Sequence, residues 1–453
     1  MQMKRYRQWA FGALMAIPAM AMAAVSAEEA AELGKSLTPV GAERAGNADG
    51  TIPEWKPQAA RGPRSGVYPS NPDIDGDKPL FTITAANLSE HADLVMTGHK
   101  ELLKRYPDSY KLNIYPSHRL ATFPDKILEE TKKNATRASL EGVDNPKGAF
   151  VGFPFPIPKK GNEPLWNHRV KYRGEDIRRF NNQMIVQQDG SFSLTKIVED
   201  VTFNYSNIAK ENPDELAPGA EFLRYLSETI SPPRIAGTYI LVHEKAGFGP
   251  EGRSAWLYAP ALKRIRRAPA VCCDNPYEGT DGHQFYDQVD MYNGVFERFT
   301  WKLVGKKEMY IPYNANRISG PQTKYADMAK PNHLNQDLPR YERHRVWVVE
   351  AENKPDQRHT FKSRRFYIDE DTWTVVGVDN YDQQGGLMQF QEGHLVTYYG
   401  VLAHTTQPEV IYHFNSGRYF MTAMGNEDQP YDNTVTFASN YFEANTVQNR
   451  ASK

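Results

Sequence analysis

Apolar and polar positions alternate with a period of two over most of the chain after about residue 190, and that period predicts an antiparallel sheet with one buried and one wet face. The cleanest run is Gly294 to Met309, where Phe299, Trp301 and Leu303 point one way and Arg298, Thr300 and Lys302 the other. Phe192–Tyr205, Thr238–Lys245, Arg345–Ala351, Arg364–Asp369, Trp373–Asn380, Leu387–Gln391 and Tyr419–Met424 read as further strands, with the sheet beginning near Trp166 and Gln383-Gln-Gly-Gly386 as a hairpin turn. Ser254–Pro269 reads as a β-hairpin around which the others are arranged. Trp256 and Tyr258 lie on one face and Ala255, Leu257 and Ala259 on the other, Pro260-Ala261 breaks the strand, and a basic return strand follows to Arg267. Helical spacing predicts helices over Thr84–Arg105 and about Asp125–Leu140, and a short one over Glu221–Thr229. Phe153-Pro-Phe-Pro-Ile-Pro158 cannot be a central strand, because proline lacks the ladder donor.

The first 27 residues read as a secretory signal. Lys4, Arg5 and Arg7 precede a short apolar core from Trp9 to Ala23, and small residues allow cleavage after Ala23 or Ala27. The core is too short, and broken by Pro18, for the roughly 20 apolar residues of a membrane span. The expectation is a periplasmic protein. A formal net charge of −1 with no clustered basic surface argues against a nucleic-acid partner. Four segments are expected: the signal over 1–27, a loop- and helix-rich extension over 28–160, a sheet domain over 161–424 and a polar tail over 425–453.

Five stretches carry a resemblance to a known family: the hairpin, Lys35–Trp55, Leu103–Tyr110, Trp301–Tyr313 and Arg365–Trp373. Together they resemble a family of secreted proteobacterial proteins described as a domain of unknown function, related to outer-membrane lipoprotein-sorting proteins. The resemblance implies a mainly β, α+β fold: a curved antiparallel half-barrel closed by helices. It also implies lipid-like cargo and association with an envelope export system of the resistance-nodulation-division type. It brings no catalytic residues to carry over.

Candidate chemistry is sparse. Asp73-Ile-Asp75-Gly-Asp77 departs from a calcium loop, with Lys78 and Thr84 where Gly and Glu are needed. His283 with Asp281, Asp287 and Asp290 lacks ligand spacing, and Asp369-Glu370-Asp371 reads as a turn, so neither a metal nor another cofactor is expected. Adjacent Cys272 and Cys273 read as two thiols beside a loop, since an ordinary bridge needs more widely spaced Cα atoms. No nucleophile elbow or phosphate loop points to an enzyme. What remains is an aromatic surplus, with seven Trp, 25 Tyr and 21 Phe. A half-barrel too wide for its own side chains leaves an aromatic cavity suited to apolar ligands. Strand alternation nominates Tyr239, Trp256, Tyr258, Phe299, Trp301, Trp347, Phe366 and Phe390 as its lining. The reading is a periplasmic, non-enzymatic carrier of lipid-like or other hydrophobic molecules. The alternatives are a hydrolase of a hydrophobic or glycan substrate, or an envelope scaffold.

Overall fold

The computed structural model describes residues 25–247 and 252–452, so most of the expected signal segment lies outside the described residues. A 16-stranded sheet dominates. From one edge it runs through Phe81–Ile83 and Leu112–Ile114 to Tyr341–Asn353, Ser363–Asp369, Val375–Tyr381, Leu387–Tyr398, Ala403–His413 and Arg418–Met424. It continues through Asn182–Val186, Phe192–Thr202, Glu221–Ser231 and Tyr239–Lys245 to the hairpin Arg253–Ala259 and Arg264–Arg267. Phe299–Pro312 pairs beside Tyr341–Asn353, and Asp176–Phe180 beside Phe192–Thr202. The pairing is antiparallel except where Tyr341 bridges Ile114. The sheet is not closed into a barrel, and its last strand exposes Arg264, Arg266 and Arg267. Such charges guard an unpaired edge against a stray strand. The expected antiparallel half-barrel is thus the fold, but the hairpin is its margin and not its centre.

Local propensity is overruled in three places. Glu221–Ser231 is a strand, not a helix, because it is clamped between Phe192–Thr202 and Tyr239–Lys245. Trp166 belongs to the helix Glu163–Val170, which carries Pro164 in its first turn and is buried nearly all round. The helix expected over Thr84–Arg105 is divided, with Val95 extended between Leu88–Leu94 and Thr97–Arg105 because Val95 and Met96 turn into the core. Asp125–Arg137 is helical as its spacing implies, burying Ile127, Thr131 and Ala135.

The middle strands Val375–Tyr381, Leu387–Tyr398 and Ala403–His413 are buried on both faces. On one face Phe390 meets Gly98 so closely that a Cβ there would lie 2.0 Å from its ring. On the other, Gln389 and Gln391 receive the Gln288 amide at 2.8 and 3.2 Å. Polar groups caught in this double cover bond each other. Glu392 accepts from the Tyr341 hydroxyl at 2.8 Å and lies 3.4 Å from His99 and 3.6 Å from His394. Burial pushes Glu392 up to about 8 and both histidines down to about 3, so the cluster is held near neutrality.

Phe299, Trp301 and Leu303 face inward, as alternation implies. Trp301 donates to the Phe296 carbonyl at 2.9 Å and sits edge-on to Tyr292, while the Lys302 side chain is 73% exposed. Trp301→Ala is expected to lose about 3 kcal/mol of stability, and Lys302→Ala to stay within about 0.5 kcal/mol of the parent. Urea unfolding of the two variants checks this, and equal midpoint shifts would refute the face assignment.

Candidate functional site

Near the hairpin end of the sheet, one face of three strands is roofed by the segment from Val271 to Asn293. Period-2 alternation puts Ile240 and Val242 of Tyr239–Lys245 on that face, with Tyr225 from the neighbouring strand. Val271, Tyr277, Tyr286 and Val289 come down from the roof to meet them. Between wall and roof lies an apolar cleft of about 90 Å³, bordered by Val201, Phe203, Phe222 and Tyr292. Near the start of the roof, Cys272 and Cys273 are joined in a disulfide and are not two free thiols. It is also fastened at Asp287, whose carboxylate takes His359 at 3.0 Å and Arg364 at 2.8 Å.

The cleft has arginines at its rim. The Arg173 guanidinium lies over the Phe203 ring, and that of Arg169 over Trp166 and Phe222. Arg253 is paired with Glu244. The floor is polar and continues into a smaller hollow lined by Arg179, Glu199, Asp290 and Glu409. Asp290 is held in the left-handed region at φ 52°, a conformation that Asp adopts more readily than most residues. Its carboxylate accepts Arg173 at 2.5 Å and Lys171 at 3.1 Å, while its carbonyl accepts His168 at 2.7 Å. Burial disfavours the Asp290 charge, but Arg173 and then Lys171 outweigh it and hold the carboxyl well below the usual carboxylate range. Burial draws Lys171 down to about 7 against the pull of Asp290. Glu409 is pushed up to about 7, by burial first and by the Asp290 charge second. Two carboxyls with opposed shifts, Glu409 buried and Asp290 half-buried, therefore share one floor.

None of the eight aromatics nominated from alternation lines this cleft. Tyr239, Trp256 and Tyr258 lie on the other face of the same strands, packed around Phe442 and Val447 of the C-terminal segment. Phe299, Trp301 and Phe366 gather with Tyr292 and Phe296 in the main core. Trp347 stacks on Trp373 under the Lys306 ammonium, and Phe390 stacks on Tyr412. Alternation identifies the two faces of a strand but cannot say which is roofed by distant chain and which by a tail. The cleft residue Ile240 is one position away from the nominated Tyr239, and Val242 lies on the same face as Ile240. His283, Asp281, Asp287 and Asp290 do not converge either: His283 bonds the Thr280 carbonyl, and Asp287 and Asp290 hold separate cations.

A second, more open groove of about 690 Å³ lies between Gly66–Ser70 and Asn314–Arg317. Its walls are mixed, with Asp75, Asp77 and Arg340 among them, so it lacks the continuous apolar wall of the first cleft.

Residues 82–448 match the family model described as a protein of unknown function, DUF1329. The chain is 44% identical over 425 residues to an uncharacterized protein of Pseudomonas aeruginosa, covering 93% of this chain and 92% of that one. Among solved structures it is similar to a putative outer membrane lipoprotein-sorting protein domain from Vibrio parahaemolyticus, at 15% identity and a TM-score of 0.43, over 64% of this chain and 98% of that one. It is also similar to a DUF1329 family protein from Desulfovibrio piger, at 15% identity and a TM-score of 0.40, over 62% of this chain and 93% of that one. Among the described residues, no helix is long and apolar enough to cross a membrane.

The Glu409 shift has a pH consequence. Its pKa is raised on folding, so the folded chain holds this proton more tightly than the unfolded chain between about pH 4.5 and 7. Stability from this group is therefore lost as pH rises through that window. Glu409→Gln is expected to flatten the decline, measured as unfolding free energy at pH 5, 6 and 7. A parallel decline in parent and variant would show that Glu409 is not the source.

Proposed function

Because this chain belongs to the DUF1329 family, we propose that it is a periplasmic, non-enzymatic carrier that binds lipid-like or other hydrophobic molecules in the cleft beneath the Val271–Asn293 segment. The apolar wall of Val201, Ile240 and Val242, roofed by chain from elsewhere in the sequence, is the observation that carries this reading. Apolar surface withdrawn from water there would stabilise a ligand by about 25 cal/mol per Å². At about 90 Å³ the cleft is smaller than the roughly 300–1,000 Å³ of ligand pockets, so a lipid-sized chain enters only as the roof lifts from the wall. The rim arginines are already held by Asp290 and Glu244, so the rim suits a polar end on the ligand. Export through the secretory route and hand-over to an envelope system of the resistance-nodulation-division type complete the proposal, on the strength of the sequence resemblance.

Fatty acids and phospholipids are expected to raise the melting temperature in proportion to the logarithm of their concentration once binding saturates. Val242→Glu should weaken binding at least tenfold, because it sets an unpaired charge on the apolar wall. Tyr258→Phe, on the opposite face, should bind as the parent does. Absence of binding by the parent, or equal affinity in Val242→Glu, would overturn the carrier reading.

The opposed shifts of Asp290 and Glu409 favour one second reading, a hydrolase using Glu409 as the proton-bearing acid and Asp290 as the ionised partner. Mass spectrometry of the same incubations separates the two. Intact ligand supports the carrier, whereas product that disappears in Glu409→Gln establishes the enzyme.

A further inference from the structure

On the far side of the sheet from the hairpin, two strands and the turn after one of them converge on a buried polar cluster that neither cleft reaches. His344 comes from Tyr341–Asn353, Asp369 from the end of Ser363–Asp369, and Asp371 from the turn that follows. The ligand-type atoms of these three side chains all lie within 4.8 Å of one another, and all three residues are buried.

Three features distinguish this cluster from an ordinary acidic turn. First, the His344 Nε2–H is committed to Glu342 at 3.0 Å, so Nδ1 carries a bare lone pair, and that atom has no hydrogen-bond partner in the protein. A carboxylate gripping the far nitrogen is the usual support behind a metal-bound histidine. Secondly, one oxygen of Asp369 takes the Thr372 amide at 2.9 Å and hydroxyl at 2.7 Å, while its Oδ1 is buried without a partner. Thirdly, the neighbouring cations leave Asp369 unpaired: one is paired with Asp371 within the cluster and the others with Glu342 and Glu370. Arg119 holds Asp371 through two bonds of 2.9 and 2.7 Å, Arg340 holds Glu342, and Lys306 holds Glu370 at 2.7 Å. Asp369 has no ion-pair partner among the described residues. The Tyr313 ring is stacked on His344 at 3.8 Å, fixing the imidazole plane, and its own hydroxyl is buried and unpartnered.

We propose that His344 Nδ1, Asp369 Oδ1 and a carboxylate oxygen of Asp371 bind a divalent first-row metal ion. One imidazole nitrogen with two carboxylates is a mixed donor set that suits zinc or manganese better than calcium, whose sites are built from oxygen. Bonds of about 2.0–2.2 Å bring neighbouring ligand atoms about 3–3.5 Å apart, which small side-chain rotations achieve here. The ion would neutralise Asp369 and tie Trp301–Tyr313 and Arg365–Trp373, through Tyr313, Asp369 and Asp371, to Arg119. Arg119 in turn holds the Glu43 carbonyl at 2.7 Å in the N-terminal stretch Lys35–Trp55. The site is therefore structural, fastening the extension to the sheet.

Untagged protein purified without chelator is expected to carry close to one equivalent of zinc or manganese by elemental analysis. Stripping with a chelator should lower the melting temperature, and adding back zinc or manganese, but not calcium, should restore it. X-ray absorption of the zinc-loaded parent should show one imidazole nitrogen and otherwise oxygen neighbours. Asp369→Asn should bind zinc at least tenfold more weakly. The proposal is overturned if the parent binds neither ion below millimolar concentration, if calcium alone restores stability, if absorption shows no imidazole, or if Asp369→Asn binds zinc unchanged. Because the parent alone supplies the elemental and absorption measurements, a variant that fails to fold leaves the test decisive.

Discussion

The structure depends on burying both faces of its middle strands. A half-barrel normally keeps one face wet, but Leu387–Tyr398 and Ala403–His413 are covered on both. Each strand residue on the second face must then be apolar or find a bonded partner, because an unsatisfied buried polar group costs about 1–3 kcal/mol. The chain answers with networks: Glu392 among tyrosines and histidines on one face, Gln389 and Gln391 with Gln288 on the other. The N-terminal extension and the Val271–Asn293 roof are the two covers. Neither is an ornament on a sheet that would be complete without it.

The roof's role follows from its fastenings. At its far end the Asp287 carboxylate is locked to His359 and Arg364 inside the core, and Asp290 is gripped by Arg173 and Lys171. Along its length the roof presents Val271, Tyr277, Tyr286 and Val289 to the sheet. This side of the molecule therefore joins an apolar interface to a floor of strongly coupled charge. Among the described residues, no strand ladder joins this roof to the wall beneath it, whereas the middle of the sheet is held by ladders on both sides.

Charge is handled differently at the opposite end. There Arg119, Arg345 and Lys306 thread between Glu43, Glu370 and Asp371 and bind the extension to the turn after Ser363–Asp369. Removing one member of so buried a set leaves its partner uncompensated, which is why such networks favour one arrangement over nearby alternatives. The two ends thus differ in kind: an apolar cleft under a roof at one, and a clamp of buried ion pairs at the other.

Short-range pattern in the sequence was enough to establish the antiparallel sheet, the inward set Phe299, Trp301 and Leu303, the helix at Asp125–Arg137 and the existence of the hairpin, though not its place at the sheet's edge, because period and turn chemistry are local properties. It also sufficed to mark the two faces of Tyr239–Lys245. Only tertiary structure decided which face is roofed, since the covering chain is about 30 residues away on one side and about 200 on the other. For the same reason Glu221–Ser231, helical by local composition, became a strand once two ladders claimed its backbone. Asp369 and Asp371, two positions apart, would share a face even on an ideal strand, but nothing in the sequence links His344 to them. A turn after Asp369 and the pairing of two neighbouring strands bring them together, and a geometry made by long-range register leaves no trace in residue spacing.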